Sequence, residues 1–446
     1  MSKIFKNKSF LILRNNKNYL LLPICIFLTS LTLEGYAHNF NITSLYDLLE
    51  THPEIEYRQI HDVESFEYEP FAMAKFPELQ PNKGLFAPTF IATIPHGQVC
   101  SFHGWIKVGN NIIKEFVPNS HSLAFNLSFL EKQPFTNVKK IKGRVAVITS
   151  KLDIYYSHWL YNILGRLALL DLAHMEYDWL YVACDKPYMK ETLALWGINP
   201  NKILDPLGEN VFIEADELIV PSQIGVRIPE AYQYCLNWIP LELYCPKWGL
   251  SPKTTIGGNT KFPEDVVPEN VSMDNYFLSQ APLCSIYFCP WMLEYLRKTF
   301  LPCLKNKTFS NLCEKIFISR NDTKTRSMFN EDEIFSLFEK QGFKRYNLAK
   351  LPLLEQLALF DQAKMIVAAH GTGLMNLIFC KPGTQVIEIF QARSDCSLYY
   401  LSQLLGLRHH CIQTMDFHDI EGNLSTTVPV FIIKNFIKNN EALFNL

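Results

Sequence analysis

Compact apolar runs alternate with amphipathic stretches in two separate parts of this chain. In the first part Val145–Thr149, Trp179–Cys184 and Leu218–Val220 predict strands, while apolar spacing of helical period begins near Ser157 and returns over Tyr188–Trp196. In the second part Lys315–Ser319, Met365–Ala369 and Gln385–Ile389 predict strands. Between and around them Asp332–Lys340, Pro352–Phe360 (proline in the first turn) and Leu374–Phe379 predict helices. Strands alternating with helices specify a parallel α/β sheet. Two such regions predict two Rossmann-type domains facing a cleft. Between His38 and Lys142 no helical period is sustained, and Phe90–Ile94 and Trp105–Val108 read as strands of a β-rich N-terminal elaboration. The proline-rich stretch Gly225–Asn311 reads as a connection with one helix at Met292–Lys298. The expected layout is 1–37 as a signal segment, 38–300 as an N-terminal α/β domain, 301–415 as a C-terminal α/β domain and 416–446 as a tail.

Composition narrows the function classes. The 446 residues are too many for one ordinary core, and 48% apolar with 19% charged residues describes a folded globular protein. A formal net charge of -2 gives no basic excess for nucleic acid. At the N-terminus Lys3, Lys6, Lys8, Arg14 and Lys17 precede the uncharged stretch Tyr19–Leu33 and then Gly35-Tyr36-Ala37. That order is the layout of a secretory signal, with an uncleaved signal anchor as its rival and a cytoplasmic location as the alternative. The twelve cysteines include no Cys-X-X-Cys pair, so buried free thiols with one or two disulfides at most are expected. Asn126-Leu127-Ser128 is one of several glycosylation triplets that an Asn-rich chain produces by chance.

The candidate chemistry gathers at predicted strand ends. In an open parallel sheet ligands bind beyond the carboxyl ends of the strands. Three ends there deliver Ser319-Arg320, His370-Gly371 and Glu388-Ile389. Gly371 and Gly373, either side of Thr372, let the backbone approach a ligand, and the following helix start offers N–H groups to a diphosphate. Arg320 and Arg326 supply forked cations, and Glu388 is placed to accept from a ribose or sugar hydroxyl. Each piece alone reads more readily as a tight turn or a solvated side chain; the agreement of three strand ends makes a binding site as good a reading. In the first domain Ser157 is placed to cap a helix on which His158, Asn162 and Arg166 follow at i, i+4 and i+8. Such a stripe is either a solvated face or the acceptor side of a cleft, and in the second case His158 is the natural base. The chain has no Asp-X-Asp pair, no His-Glu-X-X-His and no Gly-X-Ser-X-Gly, and the adjacent His409 and His410 point to opposite faces of a strand.

The string from Phe317 to Phe390 closely resembles glycosyltransferase family 61. The matching marks are Ile318-Ser319-Arg320 with Arg326, Asn330-Glu331, Gly342-Phe343, Glu355-Gln356, the His370-Gly371-Thr372-Gly373-Leu374 loop with Asn376, Phe379, Pro382-Gly383-Thr384 and Glu388. Ser157-His158-Trp159 with Arg166 resembles the family's upstream mark, and together the marks cover roughly residues 145 to 390. The resemblance implies a GT-B-like fold and inverting transfer from a nucleotide-sugar donor, a UDP-sugar first among them, to a glycan or glycoprotein acceptor. It further implies no required divalent metal, no cofactor, and a diphosphate held by Arg320 and Arg326. Thr372 stands where the family commonly has alanine. An epimerase on the same fold and a non-catalytic sugar-nucleotide binder are the competing expectations. Nothing before residue 140 matches.

Overall fold

The computed structural model describes residues 41–71, 82–100, 104–116, 137–150, 155–206, 211–225, 227–228, 288–323, 326–390, 395–414, 425 and 427–445. The N-terminal basic and apolar segment and the Asn126 triplet lie outside the described residues. Among the described residues no helix is long and apolar enough to cross a membrane, and each cysteine is a free thiol.

The second α/β region forms a five-stranded, wholly parallel sheet in the order Lys344–Tyr346, Lys315–Ile318, Met365–Ala369, Gln385–Phe390, Arg408–Gln413. Its three central strands, Lys315–Ile318, Met365–Ala369 and Gln385–Phe390, are apolar on both faces, as a sheet covered on both sides requires. Phe317, Val367, Ile387 and Ile389 point into one apolar cluster, and Ile316, Ile318, Ile366, Ala368 and Val386 into another. This two-residue alternation is the strand's own period. The short, polar Lys344–Tyr346 strand carries little pattern of its own and is set by pairing with Lys315–Ile318. Residues 416–446, expected as a tail, contribute the helix Val430–Asn439, and Val428, Ile433 and Phe444 complete the cluster under Phe317 and Val367.

The first α/β region is the parallel part of a ten-stranded mixed sheet. Val211–Pro221, Asn137–Val147, Trp179–Tyr181 and Ile203–Leu204 run parallel, with the helices Leu164–Leu172 and Pro187–Trp196 in the crossovers. Much of the β-rich elaboration extends this same sheet through antiparallel pairs, while Asn41–Thr43 lies parallel to Asn111–Ile113 at its edge and Glu64–Glu67 and Lys83–Phe86 pair in a separate three-stranded sheet. Thr89–Pro95 and Gln98–Cys100 both pair with Val211–Pro221. Mixed α/β architecture with a parallel sheet is therefore what the periodicities specified.

The helix Pro290–Phe300 joins the two regions. Gly165 allows it close approach, since a Cβ there would press on Met292 and Ile224 at 3.2 and 3.1 Å. On its other side Arg297 donates to the carbonyls of Ile378 and, at 2.7 Å, Cys380. Leu164, Leu167, Met292 and Leu296 share one apolar cluster with Leu357, Ile366 and Leu377, and residues from Phe40 onward form a single contact unit.

Candidate active site

Because Lys315–Ile318 and Met365–Ala369 are adjacent and parallel, their carboxyl ends deliver Ser319-Arg320 and His370-Gly371 to the same edge of the sheet. Glu331, buried in the first turn of the helix Glu331–Glu339, shapes the first of these turns. It accepts from Ser319 Oγ at 2.5 Å and from the Arg320 backbone N–H at 2.8 Å. The Ser319 hydroxyl, read in the sequence as a donor contact, thus braces the turn that presents Arg320. The Arg320 guanidinium lies against the Gly371 backbone so closely that a methyl group there would overlap it. Gly371 has φ 165°, extended backbone open to any residue, so this glycine answers to space alone. Arg326 turns through the left-handed region (φ 53°), and its carbonyl accepts from Arg320 Nε at 3.2 Å. Ser327, tied to Ser425 at 2.7 Å, anchors that turn. Burial, helped by the neighbouring Arg326 charge, pushes the Arg320 guanidinium down to about 10, so it stays cationic at neutral pH. Two crowded cations beside exchangeable backbone donors make a place that an anion would relieve. The eight-residue 3-10 helix Thr372–Phe379 starts there, with Thr372 and Gly373 half-buried at its head.

Glu388 corrects one expectation. It lies inside Gln385–Phe390 rather than at the strand's end, fully buried, and both its oxygens are occupied. His370 Nδ1 donates to Oε1 at 2.6 Å and His409 Nε2 to Oε2 at 3.0 Å. Fully buried between two imidazoles, the carboxylate orients His370 and His409 and is closed off from a ligand at the surface. Burial works to raise its pKa, but the adjacent His370 and His409, which hydrogen-bond the carboxylate, outweigh this and hold it below the usual range. Ser402, fully buried, bonds His409 Nδ1 at 2.7 Å and closes the chain of contacts. Sequence reasoning set His409 aside with His410 and did not see Ser402. Neither carries a pattern: strand pairing brings His409 to Glu388, and packing of the helix Ser397–Leu404 brings Ser402 to His409. Glu388, His409 and Cys411 do bring one ligand atom each within 4.8 Å. Burial, with the Glu388 charge beside it, pushes the Cys411 thiol up, and both carboxylate oxygens also face imidazole nitrogens.

The first region reaches this edge through the segment that carries His158. Tyr156–His158 is a single helical turn that passes through a π turn, Trp159–Ile163, into the helix Leu164–Leu172. It packs on the Thr372–Phe379 helix, where the Tyr156 hydroxyl donates to Asn376 Oδ1 at 2.7 Å. Asn376 is fully buried and returns its amide to the Gly373 carbonyl at 3.3 Å, so it ties the two segments together rather than facing a ligand. Ser157 is buried inside the turn and Tyr155 holds the N-cap position without a side-chain bond, so the expected serine cap is absent. His158 is half-buried, and its Nδ1 meets Asn162 Oδ1 at 3.0 Å. With the amide oxygen as acceptor, the ring carries its proton on Nδ1 and its lone pair on Nε2.

Arg166 does not continue the polar stripe. The π turn spends one residue more than an α-turn, which rotates everything after it away from the His158 face. Arg166 is fully buried, and its guanidinium donates to the carbonyls of Val147, Thr149 and Pro221 at 3.0–3.1 Å. It fastens the carboxyl ends of two parallel strands, and an acceptor-side role is replaced by a structural one.

The model of the family described as Glycosyltransferase 61 matches residues 156–387, more than half of the chain. A relative from Drosophila melanogaster, an EGF domain-specific O-linked N-acetylglucosamine transferase, is 28% identical over 103 residues, 22% of this chain and 20% of the relative. The chain thus spans about a fifth of the length of the curated relative it matches. The family match begins at Tyr156, one residue after the N-cap of the His158 turn, and takes in Arg320, Arg326 and the whole His370–Asn376 segment. On that match, and on the strand edge that gathers its residues, the chain belongs to the glycosyltransferase 61 family.

Proposed function

We propose that the chain is an inverting glycosyltransferase that moves a sugar from a nucleotide-diphosphate donor, a UDP-sugar, to a hydroxyl of a glycan or glycoprotein. The observation that carries this reading is the Arg320 guanidinium seated on Gly371 beside Arg326, at the carboxyl edge of a parallel sheet. In an inverting transfer the acceptor oxygen attacks the anomeric carbon from the face opposite the leaving diphosphate. Something cationic must steady that leaving group, and something basic must take the hydroxyl proton. Arg320, Arg326 and the N–H groups at the head of Thr372–Phe379 fill the first role. His158, with its lone pair on Nε2, fills the second, and Asn162 fixes its ring. We read the arrangement as GT-B-like, with the donor on the five-stranded sheet and the acceptor approaching from the His158 side. The absence of Asp-X-Asp from the sequence supports a reaction without a divalent metal. The N-terminal basic and apolar segment supports delivery to the export pathway or a membrane anchor.

The test is a donor panel read by product mass, with UDP-N-acetylglucosamine included because of the relative's name. Transfer that needs an added acceptor supports the proposal. Turnover of the donor alone would assign an epimerase, and thermal stabilisation without turnover a non-catalytic binder. Arg320→Ala is expected to weaken UDP binding by about 1.5–3 kcal/mol with unchanged circular dichroism, the usual worth of a charge-assisted hydrogen bond. Unaltered affinity by calorimetry removes Arg320 from the donor site.

A further inference from the structure

The proton network behind the glycine loop has a direction that the hydrogen-bonding chemistry fixes. An ionised carboxylate only accepts, so His370 Nδ1 and His409 Nε2 both donate to Glu388. A neutral His409 then carries its lone pair on Nδ1, where the Ser402 hydroxyl donates at 2.7 Å. Ser402 and Glu388 are fully buried and the His409 side chain nearly so, so no water competes for these positions. His370 stands at the end of the chain, at the start of the glycine loop, with its ring stacked on Phe390 at 5.1 Å. We propose that Ser402 and His409 are positioning residues for His370: through Glu388 they hold it as the Nδ1–H tautomer, in one ring orientation, with its lone pair on Nε2.

This inference rests on the reading of the His370–Gly373 loop as part of the donor site. What it adds is that His370 meets the nucleotide sugar as a hydrogen-bond acceptor. A hydroxyl of the donor, and not a phosphate oxygen, is the chemical partner of a lone pair at Nε2. The logic is that of a buried carboxylate which fixes the tautomer of a site imidazole, with a second histidine and a serine fixing the carboxylate in turn.

The experiment uses the full chain labelled with 15N-histidine, the His370 signals being assigned through His370→Asn. Long-range 15N–1H spectra distinguish the two tautomers directly. The wild type is expected to show His370 as Nδ1–H. His409→Leu removes one donor to Glu388 and is expected to give a mixed or reversed His370 tautomer, with UDP affinity about tenfold weaker by calorimetry, the worth of one such hydrogen bond. His409→Gln keeps an N–H for Glu388 and should restore both readings to within about twofold. Ser402→Ala, the milder change, should shift the tautomer in the same direction and serves if His409→Leu does not fold. A His370 tautomer unchanged in both variants, or an Nε2–H wild type, overturns the proposal. So does stoichiometric zinc in the purified protein, because His409 Nε2 would then be a ligand rather than a donor. If the wild type binds no UDP, the donor-site reading fails while the tautomer measurement still decides the positioning role.

Discussion

Gly371 and Arg320 divide one small volume between them, and that makes the glycine testable. Gly371→Ala introduces no backbone strain, because φ is extended, but its methyl displaces the Arg320 guanidinium. It should therefore lose as much UDP affinity as Arg320→Ala, about 1.5–3 kcal/mol, with the melting temperature retained. Normal affinity in that variant would separate the two residues. Glu388 gives a pH dependence whose sign follows from its depressed pKa. Its contribution to stability is fully present above the ordinary value of 4.5 and is lost as pH falls through the lower folded value. Glu388→Gln should lower stability at neutral pH by about 1–3 kcal/mol, because both imidazole N–H groups lose a charged partner and one of them faces an amide NH2 instead of an oxygen. It should also flatten the acid limb of a plot of melting temperature against pH; an unchanged limb would mean that other carboxylates carry it.

At the scale of elements, the π turn at Trp159–Ile163 sorts the upstream residues into two roles. Before it His158 lies on the loop side; after it Arg166 lies under the sheet. His158→Ala should cut turnover by about 10²–10⁴-fold, the range for a positioned base, with donor affinity and melting temperature little changed. Loss of donor binding in equal measure would move His158 into the donor pocket. Arg166→Leu should do the reverse, because it strands the carbonyls of Val147, Thr149 and Pro221 at about 1–3 kcal/mol for each unsatisfied group. A stable, inactive Arg166→Leu would return it to the acceptor side. Tyr156→Phe removes the 2.7 Å bond to Asn376 that fastens the His158 turn to the Thr372–Phe379 helix. A loss of about 0.5–1.5 kcal/mol in unfolding free energy is the expected cost.

Across the whole molecule, two sheets lean on one apolar cluster, threaded by the helix Pro290–Phe300. If the donor binds at the five-stranded sheet as proposed, UDP at a hundredfold excess over its dissociation constant should raise the stability of the chain by about 2.7 kcal/mol. Activity in the donor assay should survive EDTA and gain nothing from Mn²⁺ or Mg²⁺. Recovery with either ion after chelation would end the metal-free mechanism and direct attention to the acidic groups near Glu331.

The sequence by itself determined the α/β class, the central strands and helices of the two parallel regions, and the strand edge that holds Arg320, His370 and Gly371. All of these are local: periods of two and 3.6 residues, and loops that follow directly from strand ends. The Lys344–Tyr346 and Arg408–Gln413 strands, the Val430–Asn439 helix and the Ser402–His409–Glu388 network depended on tertiary structure. Their residues are short, polar or far apart in the chain, and only strand pairing and helix packing bring them together. The same holds for the split between His158 and Arg166. An i, i+4, i+8 spacing assumes an unbroken α-helix, and one π turn, made possible by packing of Trp159 and Tyr161 in the core, sends the second residue into the interior.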